Sequence, residues 1–301
     1  MIESIPNVSE GRRSAVVAEL AEAVRQVRGV RLLDHSADPS HNRSVYSLAG
    51  DAEAVVDAVM RLFEVALVHV DLRTHQGVHP RIGAVDVVPL VPLGGTTLDT
   101  CITLSHRIGQ SIASAFGVPV FLYEASAARP DRQKLEVIRR GQFEGLADKM
   151  RLPAWQPDFG PARPHPTAGA TVVGARQPLI AFNVNLASDN IEAAKAIAAA
   201  VRESSGGLPC VKALGLSLTH RRLAQVSMNL TDFTRTPIHV VFDAVREQAE
   251  RRGERVLESE LIGLIPAAAL EATSADALQL AHFTPQQVLE TRLASLDRAG
   301  P

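Results

Sequence analysis

The sequence predicts a mixed α/β protein made of two similar halves. Its 301 residues alternate between apolar patterns with the two-residue period of strands and patterns with the 3.6-residue period of helices. The same order of segments occurs twice along the chain. A composition of 46% apolar and 21% charged residues is typical of a globular protein with an ample core. We therefore expect two domains of the α/β (α+β) class, 1–178 and 179–301.

The first half contains strands and helices in the order β-α-β-β-α-β, the ferredoxin-like or split βαβ arrangement. Residues 36–42 (SADPSHN) are rich in turn formers and are predicted to form a loop. A helix at 98–116 and a strand at 118–123 would widen the sheet, and 129–146 is expected to be helical in part. The six elements of the β-α-β-β-α-β order are predicted to be strands at 2–6, 30–34, 43–48 and 84–91, a helix from 9–11 to Gly29, and a second helix capped by Asp51.

Residues 151–169 interrupt this pattern, because their prolines and glycines forbid regular structure. An inert linker and an ordered segment that lines a binding site both fit this composition. The remainder of the second half, 267–301, is predicted to be helical and amphipathic, with a helix start at Thr284-Pro285. Between these two segments the order β-α-β-β-α-β returns, with strands at 179–186, 211–218, 223–230 and 256–265 and helices at 191–201 and 237–251.

The strands of the second half show a division between an apolar and a polar sheet face. In the strand at 179–186, alternation places Asn183 and Asn185 on the other sheet face from the apolar residues. In the strand at 223–230 it does the same for Gln225, Ser227 and Asn229. The same reasoning assigns the leucines of 211–218 to the apolar face and the small residues between them to the polar face. A solvent-facing sheet usually carries Lys, Glu and Thr, so a row of amides suits a face that meets a polar ligand.

Charge and cysteine content exclude several classes of protein. A net charge of −2 provides no broad attraction to nucleic acid or to a membrane surface. The two cysteines, Cys101 and Cys210, supply neither a disulfide framework nor a zinc cluster and suggest a reducing compartment. The N-terminus lacks the apolar run of a signal peptide, and no window of eighteen apolar residues is present. We expect a cytoplasmic protein.

Residues 71–86, DLRTHQGVHPRIGAVD, concentrate the groups that can carry chemistry. One interpretation is a metal site, because Asp71, His75 and His79 have the spacing D-x3-H-x3-H. However, Pro80 disfavours the α conformation at His79, so the two histidines would not share a helix face. A loop that gathers three ligands remains the alternative, and it would make the protein a metal-dependent hydrolase whose activity a chelator removes.

The other interpretation is general acid–base catalysis. A histidine in a rigid G-x-H-P-R turn has a fixed direction, and its pKa lies near the operating pH, so it can both take and give a proton. Arg81 could bind a carboxylate through both of its terminal nitrogens. Either Asp71 or Asp86 could orient the imidazole, and spacing alone does not decide between them.

The motifs along this chain resemble those of a known family, the formiminotransferases, which include the amino-terminal half of the animal enzyme formiminotransferase-cyclodeaminase. The resemblance extends to about Pro266. It rests on IPNVSEG at 5–11, NRSVYSLAG at 42–50, HQGVHPRIGAVDVVPLVP at 75–92, VPVFLYEAS at 118–126, IRRGQFEGL at 138–146, WQPDFGP at 155–161, GATVVGARQPLIAFNVNL at 169–186, AQVSMNLTDF at 224–233 and TPIH at 236–239.

The resemblance implies two ferredoxin-like βαββαβ-type subdomains whose sheets face each other across a ligand tunnel, in a homodimer. It implies transfer of the formimidoyl group from N-formimidoyl-L-glutamate to N5 of tetrahydrofolate, the co-substrate, late in histidine breakdown and without a metal. The family's catalytic histidine corresponds to His79. Cations for the glutamate carboxylates are expected at Arg43, Arg81 and Arg176. The folate-binding segment corresponds to Gly160, Pro161, Ala162, Arg163, Pro164, His165, Pro166, Thr167, Ala168 and Gly169.

The sequence departs from the family pattern in two places. Val78 stands where Glu or Ala is more usual, and the interior of the folate segment, ARPHPTA at 162–168, is not a clear match. These departures bear on the individual folate contacts more than on the reaction. Related folate-dependent formyl transfer or 5-formyltetrahydrofolate metabolism, and a non-catalytic folate binder, are the other functions compatible with the resemblance.

Overall fold

The computed structural model describes residues 1–219 and 221–299. The chain divides into two compact units, Met1–Arg176 and Gln177–Pro301. In the described residues unit 1 contains a seven-stranded sheet and unit 2 a four-stranded sheet, which confirms the mixed α/β class. No helix in this part of the chain has the length and apolar character needed to cross a membrane.

The sheet of unit 1 is built around an interrupted central strand. Two short strands, β1 and β2, lie on either side of Pro6, and both pair antiparallel with β4 and β5. The order is therefore β3, β4, β1 with β2, β5, β7 and β6, in which β7 is parallel to both β5 and β6. The strands span Ile2–Ser4, Asn7–Val8, Val30–Asp38, Arg43–Gly50, Val85–Pro92, Val120–Leu122 and Thr171–Ala175.

Helices cover both faces of this sheet. The three long helices α1 to α3 share the main core of unit 1, and the predicted cap of α2 is confirmed, because the Asp51 carboxylate accepts the N–H of Ala54 at 2.9 Å. The short helices α4 and α5 form a second core with Phe121 and Val172. The helices are α1 Ser14–Arg25, α2 Ala52–His69, α3 Leu98–Phe116, α4 Leu135–Ile138 and α5 Gln142–Met150.

Unit 2 is a four-stranded antiparallel sheet in the order β11, β8, β10, β9. Its core joins one face of the sheet to α6 and α7. The four strands of unit 2, numbered 1 to 4 in chain order, lie in the order 4-1-3-2 across the sheet. The first four strands of unit 1 have the same order when β1 and β2 are counted as one strand. The elements are β8 Ile180–Leu186, α6 Ile191–Val201, β9 Val211–Leu218, β10 Leu223–Leu230, α7 Ile238–Glu250, β11 Val256–Ile262 and α8 Leu289–Ala299.

Two predictions about unit 1 were wrong. The first helix begins at Ser14 and not at 9–11, because Ser9 still pairs with Ala84 at the sheet and the Glu10 carboxylate accepts the N–H groups of Arg12 and Arg13. Strand β7 was missed altogether. Its five residues, TVVGA, are all buried, but they follow the proline-rich segment so closely that the pattern did not separate them from it.

The prediction of a helical tail was also wrong for most of its length. Between the short turn Ala267–Leu270 and the 3₁₀ turn Pro285–Gln287 the chain contains no helix in its described residues. It runs beside β11 instead, where Ser259 donates its N–H to the carbonyl of Gln279 and accepts the N–H of Ala281, both at 2.8 Å. The predicted helix start at Thr284-Pro285 is confirmed, because Thr284 caps the 3₁₀ turn that precedes α8. Positions 300 and 301 of the prediction lie outside the described residues.

The sheet of unit 2 corrects the assignment of the β9 side chains. Leu214 and Leu216 are exposed, and they share a face with Ser227 and Gln225, so the leucines lie on the amide-bearing face. The small residues of β9 lie on the helix side. A Cβ atom at Gly215 would be 2.4 Å from the backbone nitrogen of Lys195, so the absence of a side chain lets α6 approach the strand.

Replacing Gly215 with Ala should therefore lower the free energy of unfolding of unit 2 by about 1 to 3 kcal/mol, because the α6 backbone must move away from β9. Urea denaturation followed by circular dichroism measures this change. Ser217→Ala, at the next position on the same side of β9, is the matched control and should change it by less than about 0.5 kcal/mol. Equal stability of the two variants would contradict the close approach of α6.

Candidate active site

The candidate site lies where two turns of unit 1 are bonded to each other. One is the turn between β3 and β4, and the other is the loop between α2 and β5. Asn42 donates its side-chain N–H to the carbonyl of Gln76 at 3.0 Å, and its own carbonyl lies 2.9 Å from Nε2 of His75. A Cβ atom at Gly77 would be 2.2 Å from the carbonyl oxygen of His41, so this close contact between the turns needs glycine.

His79 is held in this contact by Arg43. Nε2 of His79 lies 2.7 Å from a terminal nitrogen of Arg43. Because a guanidinium only donates hydrogen bonds, Nε2 must accept, and the ring is neutral with its proton on Nδ1. Burial and the positive charges of Arg43, Arg139 and His41 lower the pKa of His79 to about 2. The ligand-free protein thus presents a neutral histidine beside a cation.

Arg81, a predicted carboxylate ligand, is engaged with other protein groups. Only 6% of it is exposed, and its guanidinium binds both carboxylate oxygens of Glu144 at 2.7 and 2.8 Å. It also donates to Nδ1 of His75 at 3.1 Å and to the side chain of Gln142 at 3.1 Å. The hydrogen bond from Arg81 holds the pKa of Glu144 below its usual value. Arg81 therefore ties the loop to α5.

The two aspartates proposed to orient His79 have other partners. One oxygen of Asp86 accepts the N–H groups of Ile82 and Gly83 at 2.6 and 3.1 Å, and the other binds Arg139, with Nε at 2.8 Å. Asp71 pairs with Arg73 at 2.6 Å. Among the contacts of the described residues, His79 hydrogen-bonds the side chain of Arg43 and the backbone of Pro80, and not a carboxylate.

Sequence reasoning did not identify several side chains that surround His79. They are His41 and Arg139, whose charges act on His79, together with Asp38, which binds His41; Asp38 and His41 lie in the predicted 36–42 loop. The structure extends β3 to Asp38, which leaves only a tight turn before Arg43. A His three residues after an Asp, immediately before N-R, was the available signal for this part of the site.

The alternative metal site is not assembled in the described part of the chain. No group of three His, Cys, Asp or Glu residues there is placed to hold a metal ion. The ring nitrogens of His75 contact the carbonyl of Asn42 and the guanidinium of Arg81, whereas His79 contacts Arg43. The spacing D-x3-H-x3-H therefore does not bring Asp71, His75 and His79 together as ligands.

The segment predicted to bind folate, 160–169, lies alongside the same loop. Thr167 accepts the N–H of Leu72 at 2.8 Å, and Ala168 accepts that of Ala84 at 3.0 Å. Gly169 has φ +68°, and a Cβ atom there would be 2.1 Å from the carbonyl oxygen of Ile82. The segment is therefore ordered by backbone pairing with both ends of the loop, and the prediction of an inert linker does not fit it.

The start of this segment is anchored by a buried ion pair. Asp158 accepts the N–H of Leu122 at 2.7 Å and binds Arg132 at 2.9 Å. Its far end closes on itself, because His165 and Gly169 exchange two backbone hydrogen bonds of 2.8 and 3.0 Å. Nδ1 of His165 accepts the N–H of Ala168 at 3.1 Å, so this histidine stabilises the turn.

Two cavities of unit 1 open on either side of the loop. One, of about 390 Å³, lies between α5 and the folate segment and is lined in part by Leu72, Phe143, Pro164 and Pro166. The other, of about 400 Å³, is lined by polar groups that include His75. Both volumes are in the range of sites for small molecules.

Arg176, the third predicted carboxylate ligand, follows β7. Its N–H donates to the carbonyl of Leu90 at 3.0 Å, and its side chain hydrogen-bonds the buried hydroxyl of Tyr123. Burial raises the pKa of Tyr123, and the positive charge of Arg176 partly opposes this rise. Of the three predicted arginines, Arg43 is therefore the one in contact with His79.

The lowered pKa of His79 predicts a loss of stability in acid. The unfolded chain takes up a proton near pH 6.5, about the ordinary pKa of histidine, whereas the folded protein does not. The contribution of neutral His79 to the free energy of unfolding is thus complete above about pH 6.5 and falls as the pH drops. In His79→Gln the fall in the free energy of unfolding of unit 1 between pH 7 and pH 5 should be smaller by about 1 to 2 kcal/mol.

Urea denaturation followed by the fluorescence of Trp155, the single tryptophan, reports this change in unit 1. Val78→Ser in the same loop is the control, because Val78 is exposed and does not titrate. Parallel pH profiles for wild type and His79→Gln would show that His79 is not held neutral in the folded protein.

Two family models match most of this chain. A model described as "Formiminotransferase domain, N-terminal subdomain" matches residues 1–176, and one described as "Formiminotransferase domain" matches residues 181–287. A glutamate formimidoyltransferase of Streptococcus pyogenes serotype M1 is 45% identical over 294 residues, which is 97% of this chain and 98% of that protein.

Two further comparisons extend this finding. A glutamate formimidoyltransferase of Thermoplasma acidophilum is 41% identical and covers 97% of each chain. A formimidoyltransferase-cyclodeaminase of Rattus norvegicus is 42% identical over 90% of this chain and 51% of that protein. Among solved structures, a microcompartment protein of Desulfitobacterium hafniense aligns at a TM-score of 0.23 and 12% identity, too weak a likeness to bear on the fold.

Proposed function

Because this chain belongs to the formiminotransferase family and is an enzyme of that family, we propose that it transfers the formimidoyl group of N-formimidoyl-L-glutamate to N5 of tetrahydrofolate. The products are 5-formimidoyltetrahydrofolate and L-glutamate. The observation that supports this proposal best is the placement of His79, a neutral, partly buried histidine bonded to Arg43 at the meeting point of two turns.

His79 is the proposed base. N5 of folate attacks the amidine carbon, and its proton must leave as the new C–N bond forms. A neutral imidazole can accept that proton, whereas an imidazolium cannot. In the free protein burial and then the neighbouring positive charges make His79 a weak base, and the carboxylates of the donor would neutralise the charge of Arg43 and so raise the pKa of His79. Binding of the anionic donor thus prepares the base for the reaction.

Arg43 is the proposed ligand of a donor carboxylate. It lies beside His79, so a carboxylate bound there would place the adjacent amidine near the base. Burial and the charge of Arg139 lower the pKa of Arg43, while Asp86 and Asp38 oppose this shift. Arg81 is better explained as a structural residue, because the Glu144 carboxylate already accepts hydrogen bonds from both terminal nitrogens of its guanidinium.

Segment 160–169 is the proposed folate-binding segment. It borders a cavity of about 390 Å³ that is also lined by the apolar side chains Leu72 and Phe143. An aromatic ring system such as a pterin or an aminobenzoyl group suits a pocket with this lining. We further propose that the enzyme is a cytoplasmic homodimer that acts in histidine breakdown without a metal.

The decisive assay combines purified protein, tetrahydrofolate and either formimidoylglutamate or formylglutamate, with the absorbance of the folate as the readout. Wild type should turn over the formimidoyl donor. His79→Ala should lower kcat by about 100- to 10,000-fold, because the base is removed. Its Kd for tetrahydrofolate should stay within about threefold of wild type, and Val78→Ser should behave like wild type throughout.

An unchanged kcat in His79→Ala would contradict the role of His79. Binding of tetrahydrofolate without turnover of either donor by wild type would identify a non-catalytic folate binder. Turnover of formylglutamate alone would identify formyl transfer instead.

Substitution of the arginines should separate substrate binding from structural support. Arg43→Ala should raise the KM for formimidoylglutamate about tenfold or more, because a charge-assisted hydrogen bond to a carboxylate is lost. Arg81→Ala should instead lower the free energy of unfolding of unit 1 by about 1 to 3 kcal/mol, because the side chain is buried and His75 and Gln142 lose their donor, while the exposed carboxylate of Glu144 is solvated by water. A raised KM in a stable Arg81→Ala protein would reverse this assignment.

A further inference from the structure

We propose that His41, oriented by Asp38, is a second catalytic histidine, which gives a proton to the departing glutamate nitrogen while His79 takes the proton of N5. This proposal rests on the proposed function and extends it. The reaction needs two proton transfers at two different nitrogens. The structure places two histidines, His41 and His79, side by side.

The two rings are held next to each other. The centroids of His41 and His79 are 6.1 Å apart, with the ring planes at 70°. Their separation is fixed by the backbone, because the N–H of Val78 donates to the carbonyl of Ser40 at 3.4 Å and Gly77 packs against the carbonyl of His41. Each histidine therefore sits on a turn whose position the other turn determines.

Asp38 fixes the orientation of His41. One carboxylate oxygen lies 2.6 Å from Nδ1 of His41, and the other accepts the N–H groups of Ser40 and His41 at 2.7 and 2.9 Å. Burial favours the protonated carboxyl, but the hydrogen bonds from His41 outweigh it and hold the pKa of Asp38 below its usual value.

Because the ionised carboxylate of Asp38 only accepts, Nδ1 of His41 carries a proton. This leaves Nε2, which takes part in none of the described hydrogen bonds, as the nitrogen that exchanges a proton with a substrate. The arrangement is the carboxylate–imidazole pairing that orients a histidine for proton transfer.

The chemistry assigns one ring to each nitrogen. The donor carboxylate draws the Arg43 N–H to itself and so frees the lone pair of His79 Nε2. As N5 bonds to the amidine carbon, its proton moves to this nitrogen and a tetrahedral intermediate forms. The bond from this carbon to the glutamate nitrogen then breaks, the electron pair stays on that nitrogen, and it takes a proton from Nε2 of protonated His41. Proton exchange with solvent restores both rings. Arg43 cannot serve as the acid, because a guanidinium does not release its proton.

A surface ion pair is the competing explanation, since 44% of the His41 side chain and 48% of the Asp38 side chain are exposed. Such pairs contribute little to stability. The two explanations therefore predict different results: removing an ion pair of this kind leaves kcat unchanged, whereas removing the acid lowers kcat and leaves the fold intact.

The test compares His41→Gln, His41→Ala and Asp38→Asn with His35→Gln. His35 is the matched control, because it is an exposed histidine of β3, the strand that leads into the turn of His41, and it stacks on Tyr46 with centroids 6.2 Å apart. In His41→Gln, kcat with formimidoylglutamate should fall about 100-fold or more, and both KM values should stay within about threefold of wild type. Imidazole added to His41→Ala should restore part of kcat, and Asp38→Asn should lower kcat without imidazole rescue.

The outcomes separate this proposal from the proposed function. Absence of formimidoyl transfer in wild type would overturn both. Normal transfer in wild type together with a kcat in His41→Gln equal to that of His35→Gln would overturn only the assignment of His41. A lowered kcat that imidazole leaves unchanged in His41→Ala, together with weaker tetrahydrofolate binding, would show a structural part for His41 and would also overturn it.

Discussion

The arrangement of the site depends on the hydrogen bonds of one buried residue, Asn42. Its side-chain oxygen accepts the N–H of Gly11 and its side-chain nitrogen donates to Gln76, both at 3.0 Å, while its carbonyl binds His75. Its φ of +50° lies in the left-handed region that asparagine tolerates better than most residues. Asn42 thus joins three separate segments of unit 1. These bonds also fix the positions of the residues next to Asn42 in the chain.

Two ion pairs then hold the shell around His79. Arg139 is fixed by Asp86, which in turn accepts two N–H groups of the loop, and the buried Arg81 is fixed by the exposed carboxylate of Glu144. A mostly buried pair such as Arg139–Asp86 adds little stability compared with apolar residues, but breaking it leaves an unpaired charge, so that pair resists substitution. Their effect on the site is to bring positive charge near His79 without placing a carboxylate on it.

The sequence was sufficient for elements with strong periodicity and insufficient where contacts are distant in sequence. Helix α3 and strands β9 and β10 were predicted with their observed bounds, since apolar spacing and caps are local. Strand β7 was missed because it is buried by neighbours on both sides and carries no alternation. In the site, motif resemblance selected His79, but its partner Arg43 is 36 positions away, and no local pattern reports such a contact.

In the proposed mechanism the resulting charge balance links substrate binding to catalysis. In the free protein burial and the cations around His79 keep it neutral and weakly basic, so it neither binds a proton nor abstracts one readily. A dianionic donor changes this balance, because its carboxylates offset the cations in a partly buried site where charges interact strongly. The same group that recognises the donor would then make His79 basic enough to act. A donor without the carboxylate would leave His79 in its inactive state, so donor recognition and proton transfer are coupled through one hydrogen bond.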